Sequence, residues 1–190
     1  MKTIAIFASG NGSNCENIIR YFHDSLDIRV GLVLCNKADA PVVGRAERLG
    51  VPTVVMSKGD FAEASLLLPV LRQAQVDLIV LAGFLLIIPS FLIQAYSHRI
   101  INIHPSLLPK YGGKGMYGRH VHEAVKAAGD PVTGMTIHWV SEVVDGGDII
   151  AQFSVLLSPS DTVDDIAAKE HELEMNHFPQ VIERVLLADA

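Results

Sequence analysis

Ile100-Ile101-Asn102-Ile103-His104-Pro105-Ser106-Leu107-Leu108-Pro109 is the stretch on which the fold of this chain turns. It begins apolar and β-branched, as a buried strand does. It then sets an amide and an imidazole two residues apart and stops at a proline. Alternate residues of a strand share a face, so Asn102 and His104 are expected side by side at the strand's end. Pro105 cannot donate to a sheet ladder and ends the strand. Polar groups at a strand terminus stand where open α/β sheets hold ligands.

Upstream, strand and helix alternate with short connections. Residues 3–8, 28–35, 53–56 and 77–82 read as strands. Segments after Gly12, at 41–49, at 60–75 with a break or kink at Pro69, and at 91–97 read as helices. This alternation is the signature of a doubly wound, mostly parallel α/β sheet, here in a single domain spanning residues 1–190. Downstream, Gly112, Gly113, Gly115 and Gly118 form a loop read as a mobile lid or entry segment. A helix at 119–128, strands at 133–140 and 149–156, and a long final helix bent near Pro179 complete the pattern.

Gly10-Asn11-Gly12-Ser13-Asn14 lies between the first strand and first helix. Such a turn either presents backbone N–H groups to an anion or is a plain βα turn with Ser13 as helix cap. The third glycine of a dinucleotide fingerprint is absent. The loop Gly83 to Pro89 carries Phe84-Leu85-Leu86-Ile87-Ile88, which either packs into the core or walls a pocket for a flat organic ligand.

The 190 residues carry a net charge of −6 and are 49% hydrophobic. That balance fits a well-cored globular chain and argues against broad nucleic-acid binding. Cys15 and Cys35 are read as reduced thiols. No apolar run reaches the ~18 residues of a membrane helix. Met1-Lys2 leads straight into a strand, so neither secretion nor a preceding domain is expected, and the cytoplasm is the expected location. The eight histidines lack the spacing of a helical ligand pair, so no metal is expected.

Asn102, His104 and Asp145 are the candidate chemical groups. A protonated imidazole and an amide N–H can together stabilise an oxyanion, and a nearby carboxylate favours the imidazolium. Cys15, near a helix start, is a weaker nucleophile candidate.

Asn102-Ile103-His104-Pro105-Ser106-Leu107-Leu108-Pro109 resembles the signature of the folate-dependent formyltransferase family. Gly10 to Asn14, Leu81-Ala82-Gly83-Phe84 and Asp145-Gly146-Gly147 follow in the family's order, and the resemblance runs from Ile4 to about Pro179. The resemblance implies a Rossmann-like formyltransferase fold. It implies transfer of a formyl group from the co-substrate 10-formyltetrahydrofolate to the amine of glycinamide ribonucleotide, a step of purine synthesis. It assigns oxyanion stabilisation to Asn102 and His104, and the raising of the His104 pKa to Asp145. It places the substrate phosphate at Gly10, Asn11, Gly12, Ser13 and Asn14, and the ribose and glycinamide end near Glu174. Leu85, Leu86, Ile87, Ile88, Val140 and Val144, with Asn102, would enclose the folate. The N-terminal half would thus bind the phosphorylated substrate, and the C-terminal half would bind folate and carry the chemistry. No metal, nucleic acid or membrane is implied; the protein would be a monomer or homodimer.

Members of the family often carry an arginine where this chain has Leu86, and another near Ala64. Lys110, Lys114 or Arg119 are the candidate replacements facing an anionic glutamyl tail. Within the family, a formyltetrahydrofolate deformylase uses the same trio but usually has an extra N-terminal domain. A methionyl-tRNA formyltransferase needs a C-terminal domain that 190 residues cannot hold. A non-catalytic nucleotide-binding module and a metal-dependent hydrolase are the alternatives from other classes.

Overall fold

The computed structural model describes residues 1–188. In chain order the elements are β1 (Lys2–Ala8), α1 (Ser13–Tyr21), β2 (Ile28–Cys35), α2 (Pro41–Arg48), β3 (Thr53–Val55), α3 (Lys58–Phe61) and α4 (Ala64–Gln73). There follow β4 (Leu78–Leu81), α5 (Ser90–Ala95), β5 (Ile100–His104), α6 (Arg119–Ala128), β6 (Val132–Trp139), β7 (Ile149–Leu156) and α7 (Val163–Leu187). The strands make a seven-stranded sheet in the order β3-β2-β1-β4-β5-β6-β7. β1 pairs parallel with β2 and β4, and β2 with β3. β6 and β7 pair antiparallel. This is the doubly wound, mostly parallel α/β arrangement expected.

By compactness the described residues divide into two units, 1–101 with 183–188, and 102–182. In the first unit, β1 is buried along nearly its whole length, as an apolar strand is when both sheet faces are covered. Phe7, Phe61 and Phe84 meet edge to face, with centroids 5.1–5.9 Å apart. In the second unit, Val121, Val125 and Ile166 form a core against which Tyr111, Met116 and Leu157 pack. The glycine-rich loop is therefore tacked down by two of its own side chains.

Two expectations are corrected. The 60–75 segment is not one helix broken at Pro69. It is α3 and α4, separated at Ala62–Glu63, with Pro69 inside α4. Ser57 caps the start of α3, its Oγ accepting from Asp60 N–H at 3.1 Å; α3 closes with Ala62 N–H on the Gly59 carbonyl and Glu63 N–H on the Asp60 carbonyl, and Glu63 in extended backbone starts α4. Likewise Ser13 is not the cap of α1. Gly12 is, at φ +80°, with no side-chain cap bond.

α7 begins with a reciprocal cap. Thr162 Oγ1 accepts from Asp165 N–H at 3.2 Å, and Asp165 Oδ2 accepts from Thr162 N–H at 2.8 Å. The helix runs through Pro179 to Leu187.

Gly147 sits where only hydrogen fits. A Cβ built there would lie 1.8 Å from the Trp139 carbonyl oxygen. Gly147→Ala must displace backbone, at a cost of about 1–3 kcal/mol. A fall in Tm of roughly 3–10 °C is expected. A thermal melt matching the wild type would contradict this packing.

Candidate functional site

The end of β5 is pinned by a hydrogen-bonded ladder of side chains. Ser106 N–H donates to the His104 carbonyl at 2.9 Å. The Thr136 hydroxyl donates to the Ser106 carbonyl at 2.6 Å and accepts from Leu108 N–H at 3.0 Å. Gln152 Nε2 donates to the Leu108 carbonyl and to Thr136 Oγ1, both at 2.9 Å. Ser106 Oγ donates to the Lys110 carbonyl at 2.6 Å. The Leu108–Pro109 peptide is cis. These bonds from β6 and β7 fix the loop that leaves His104.

Asn102 and His104 share a face of β5, as their spacing predicts. His104 is buried, at 3% exposure. Asp145 arrives from the turn after β6, in left-handed backbone at φ +55°, a conformation aspartate tolerates better than most residues. Its Oδ2 lies 3.5 Å from His104 Nδ1, and its Oδ1 lies 3.7 Å from His138 Nε2. Both distances exceed a hydrogen bond, so the carboxylate faces the two rings without bonding either. It accepts a hydrogen bond from Gly113 N–H at 2.9 Å.

His138, noted in the sequence only as part of a strand, belongs to this cluster. Its Nδ1 lies 2.9 Å from the Trp139 carbonyl, which can only accept, so Nδ1 carries the hydrogen. Its Nε2 then accepts from the Asn102 amide at 3.1 Å. That fixes the amide orientation and leaves a second N–H on Asn102 to donate elsewhere. The available signal was strand alternation, which gives His138 the same facing as Thr136 and Gly134.

His104 Nε2 lies 2.7 Å from the Tyr111 carbonyl and donates to it. The glycine-rich loop thus reaches two of the three predicted residues, His104 through Tyr111 and Asp145 through Gly113. Burial pushes the Asp145 carboxyl up. The His138 ring, the Gly113 N–H and the neighbouring His104 outweigh it and hold the group below the ordinary carboxylate value.

Glu174 is buried on α7, with His171 Nδ1 3.2 Å from its Oε2. Val140 is half-buried and Val144 exposed. Among the cations suggested for a folate tail, Lys110 is taken by Asp130 at 3.1 Å, and Arg119 by Glu123 and Asp164 at 3.0 and 2.6 Å. Among the described residues Lys114 has no such partner.

In the first unit, the Gly10–Asn14 turn is held by α2. Val42 N–H donates to the Gly10 carbonyl at 3.2 Å. A Cβ on Gly12 would lie 2.5 Å from Val42 Cγ2. Arg45, which the sequence did not single out, donates to Asn11 Oδ1 at 3.0 Å and pairs with Glu16. Ser9 ties this turn to the apolar loop: its N–H donates to the Gly83 carbonyl, and its Oγ accepts from Leu85 N–H at 2.9 Å. That loop is divided between core and surface. Phe84 packs on Phe7 and Phe61, and Ile88 is buried, while Leu85 and Ile87 are 51% and 70% exposed. Leu86 is intermediate. Cys15 is fully buried, and burial first, then Cys35 and Glu16, push its thiol up to about 12, which makes it a poor nucleophile.

The formyl transferase family profile matches residues 2–182. The phosphoribosylglycinamide formyltransferase of Bacillus subtilis (strain 168) is 39% identical over 193 residues, covering 98% of this chain and 95% of that protein. The crystal structure of phosphoribosylglycinamide formyltransferase from Streptococcus pneumoniae TIGR4 superposes with a TM-score of 0.85 at 37% identity, covering 97% of this chain and 99% of the other. The enzyme of the same name from Bacillus halodurans gives a TM-score of 0.89 at 34% identity, over 100% and 97%.

Proposed function

The chain belongs to the formyl transferase family, and from that premise we propose that it transfers a formyl group from 10-formyltetrahydrofolate to the amino group of glycinamide ribonucleotide in purine synthesis. The observation that carries the reading is the arrangement of Asn102, His104, His138 and Asp145 at the end of β5. It offers amide and imidazole donors backed by one carboxylate, in a chain whose relatives carry that activity in their names.

The substrate amine attacks the formyl carbon, forming the new C–N bond as the carbonyl pair moves onto oxygen. The resulting oxyanion accepts from the free Asn102 N–H. It also accepts from His104 Nε2–H, which becomes available when the Tyr111 carbonyl is displaced. Asp145 holds the positive charge of the imidazolium. Collapse breaks the bond to N10 of the folate, and the proton lost by the amine is delivered to that nitrogen, with a water ordered by Asp145 as carrier. The N-terminal half of the chain binds the phosphorylated substrate. Gly12 and Ser13 open α1 with N–H groups toward the phosphate, and Asn11 is oriented there by Arg45. Leu85, Leu86, Ile87, Ile88, Val140 and Val144 contact the folate, and Lys114 is the cation for its tail. Glu174 accepts from the ribose and glycinamide donors. The enzyme acts in the cytoplasm, as a monomer or homodimer.

The test is tetrahydrofolate release from 10-formyltetrahydrofolate, with and without glycinamide ribonucleotide. Turnover that depends on the amine is expected. Equal rates with and without it would assign a deformylase instead, and no turnover in either case would exclude the transferase.

A further inference from the structure

α7 buries two carboxyl groups one turn apart. Glu170 is 3% exposed and Glu174 9%. Four residues apart on one helix, their side chains are neighbours, and two carboxylates side by side have no hydrogen to share, whereas an acid beside a carboxylate does. The second Glu170 oxygen, Oε1, is buried with no partner. An ionised carboxyl with one oxygen stranded in the interior and the other against a negative neighbour carries a prohibitive cost, whereas a neutral acid's carbonyl oxygen does not.

We propose that Glu170 is a positioning residue for the reaction: as a neutral acid it donates its hydrogen to the Glu174 carboxylate, fixing that side chain so that its remaining lone pairs are presented to the donors of the amine substrate. This rests on the assignment of Glu174 to the ribose and glycinamide end. Burial first, then the adjacent Glu174 charge, push the Glu170 carboxyl up to about 10, so the hydrogen stays on through the neutral range. Two histidines face the pair. His171 on α7 stands 3.2 Å from its Oε2 and is itself raised, first by that bond. From α6, the buried His122 ring feels the Glu174 charge. Burial lowers its pKa first and Arg119 lowers it further, so His122 remains neutral. Its Nδ1, like Glu170 Oε1, has no partner. A neutral His122 adds no cation beside Glu170, and His171 stands against Glu174 instead. The pair thus carries one negative charge and one proton, and the proton decides which carboxyl is held and which is offered.

Two measurements on the full chain decide this. In the first, glutamate side-chain carboxyl carbons are labelled and titrated by NMR. One resonance, absent from Glu170→Gln, is expected to remain that of a neutral acid at pH 7.5; a Glu170 signal that titrates near 4–5 overturns the proposal whatever the activity. In the second, steady-state kinetics compare two variants. Glu170→Gln keeps an N–H donor toward Glu174 and is expected to hold KM for glycinamide ribonucleotide within about threefold. Glu170→Leu removes the donor and is expected to raise that KM roughly tenfold, the scale of one hydrogen bond to a charged group, with KM for 10-formyltetrahydrofolate unchanged. Equal KM values in both variants overturn the positioning role. A wild-type chain that never formylates glycinamide ribonucleotide overturns the substrate reading and the positioning role with it, while the titration still judges the shared proton by itself.

Discussion

His104→Ala is expected to lower kcat by about 10²–10³-fold, the range for loss of one preorganised oxyanion donor. The variant loses a ring whose two nitrogens are both committed, Nε2 to the Tyr111 carbonyl at 2.7 Å and Nδ1 facing Asp145 at 3.5 Å. The effect belongs to kcat more than to KM, because the negative charge on the formyl oxygen develops only on the way to the tetrahedral intermediate. The truncation also strands the Tyr111 carbonyl without its donor, so the stability of the variant must be measured beside its rate. A folded His104→Ala protein with near-normal kcat would remove the imidazole from the chemistry and leave Asn102 as the sole donor at the strand end.

How much of this was legible beforehand varies with the physics that fixes each part. The strands and their order along the chain follow from apolar runs bounded by Gly and Pro, and such runs are local. The shared face of Asn102 and His104 follows from period two alone. The Asp145 turn could be seen as Asp-Gly-Gly, but its approach to His104 could not, since 41 residues separate them. His138 was hidden for the opposite reason. In a strand, one histidine among apolar residues reads as core filling. Only its partners, the Trp139 carbonyl on one nitrogen and the Asn102 amide on the other, give it a role.

Arg45 and Glu170 show a further limit. Helix periodicity places each on its helix, yet Arg45 acts by reaching Asn11 across a turn, and Glu170 by burial that its residue type argues against. The α3–α4 boundary was misplaced because Pro69 was weighed as a breaker. A proline at the sixth residue of α4 costs the helix one hydrogen bond, and the burial of Leu67 and Leu71 on either side of it outweighs that. The glycine-rich loop was read from composition as loose, whereas Tyr111 and Met116 pack it against the α6 core.

Asp145→Asn should have the second large effect, a fall in kcat of at least ~10²-fold, although the side chain keeps its shape. The carboxylate has to satisfy three claims. One oxygen accepts from Gly113 N–H and lies 3.5 Å from His104 Nδ1; the other lies 3.7 Å from His138 Nε2. An asparagine keeps the acceptor for Gly113 by turning its N–H₂ toward His138 Nε2, which the Asn102 amide already occupies, and an imidazolium at His104 loses its counter-charge. The same substitution has a signature in stability that the kinetics do not share. The folded protein holds the Asp145 carboxyl below its ordinary 3.8. Its contribution is therefore present above the unfolded value and disappears as pH falls through the folded one. Thermal melts of wild type and variant should differ most at pH 5–7 and converge as pH drops below about 4. Melting curves that stay equally separated down to pH 2.5 would mean that the variant loses packing rather than charge. Equal melting temperatures at pH 7 would mean that the two imidazoles and the Gly113 N–H do not depend on the carboxylate at all.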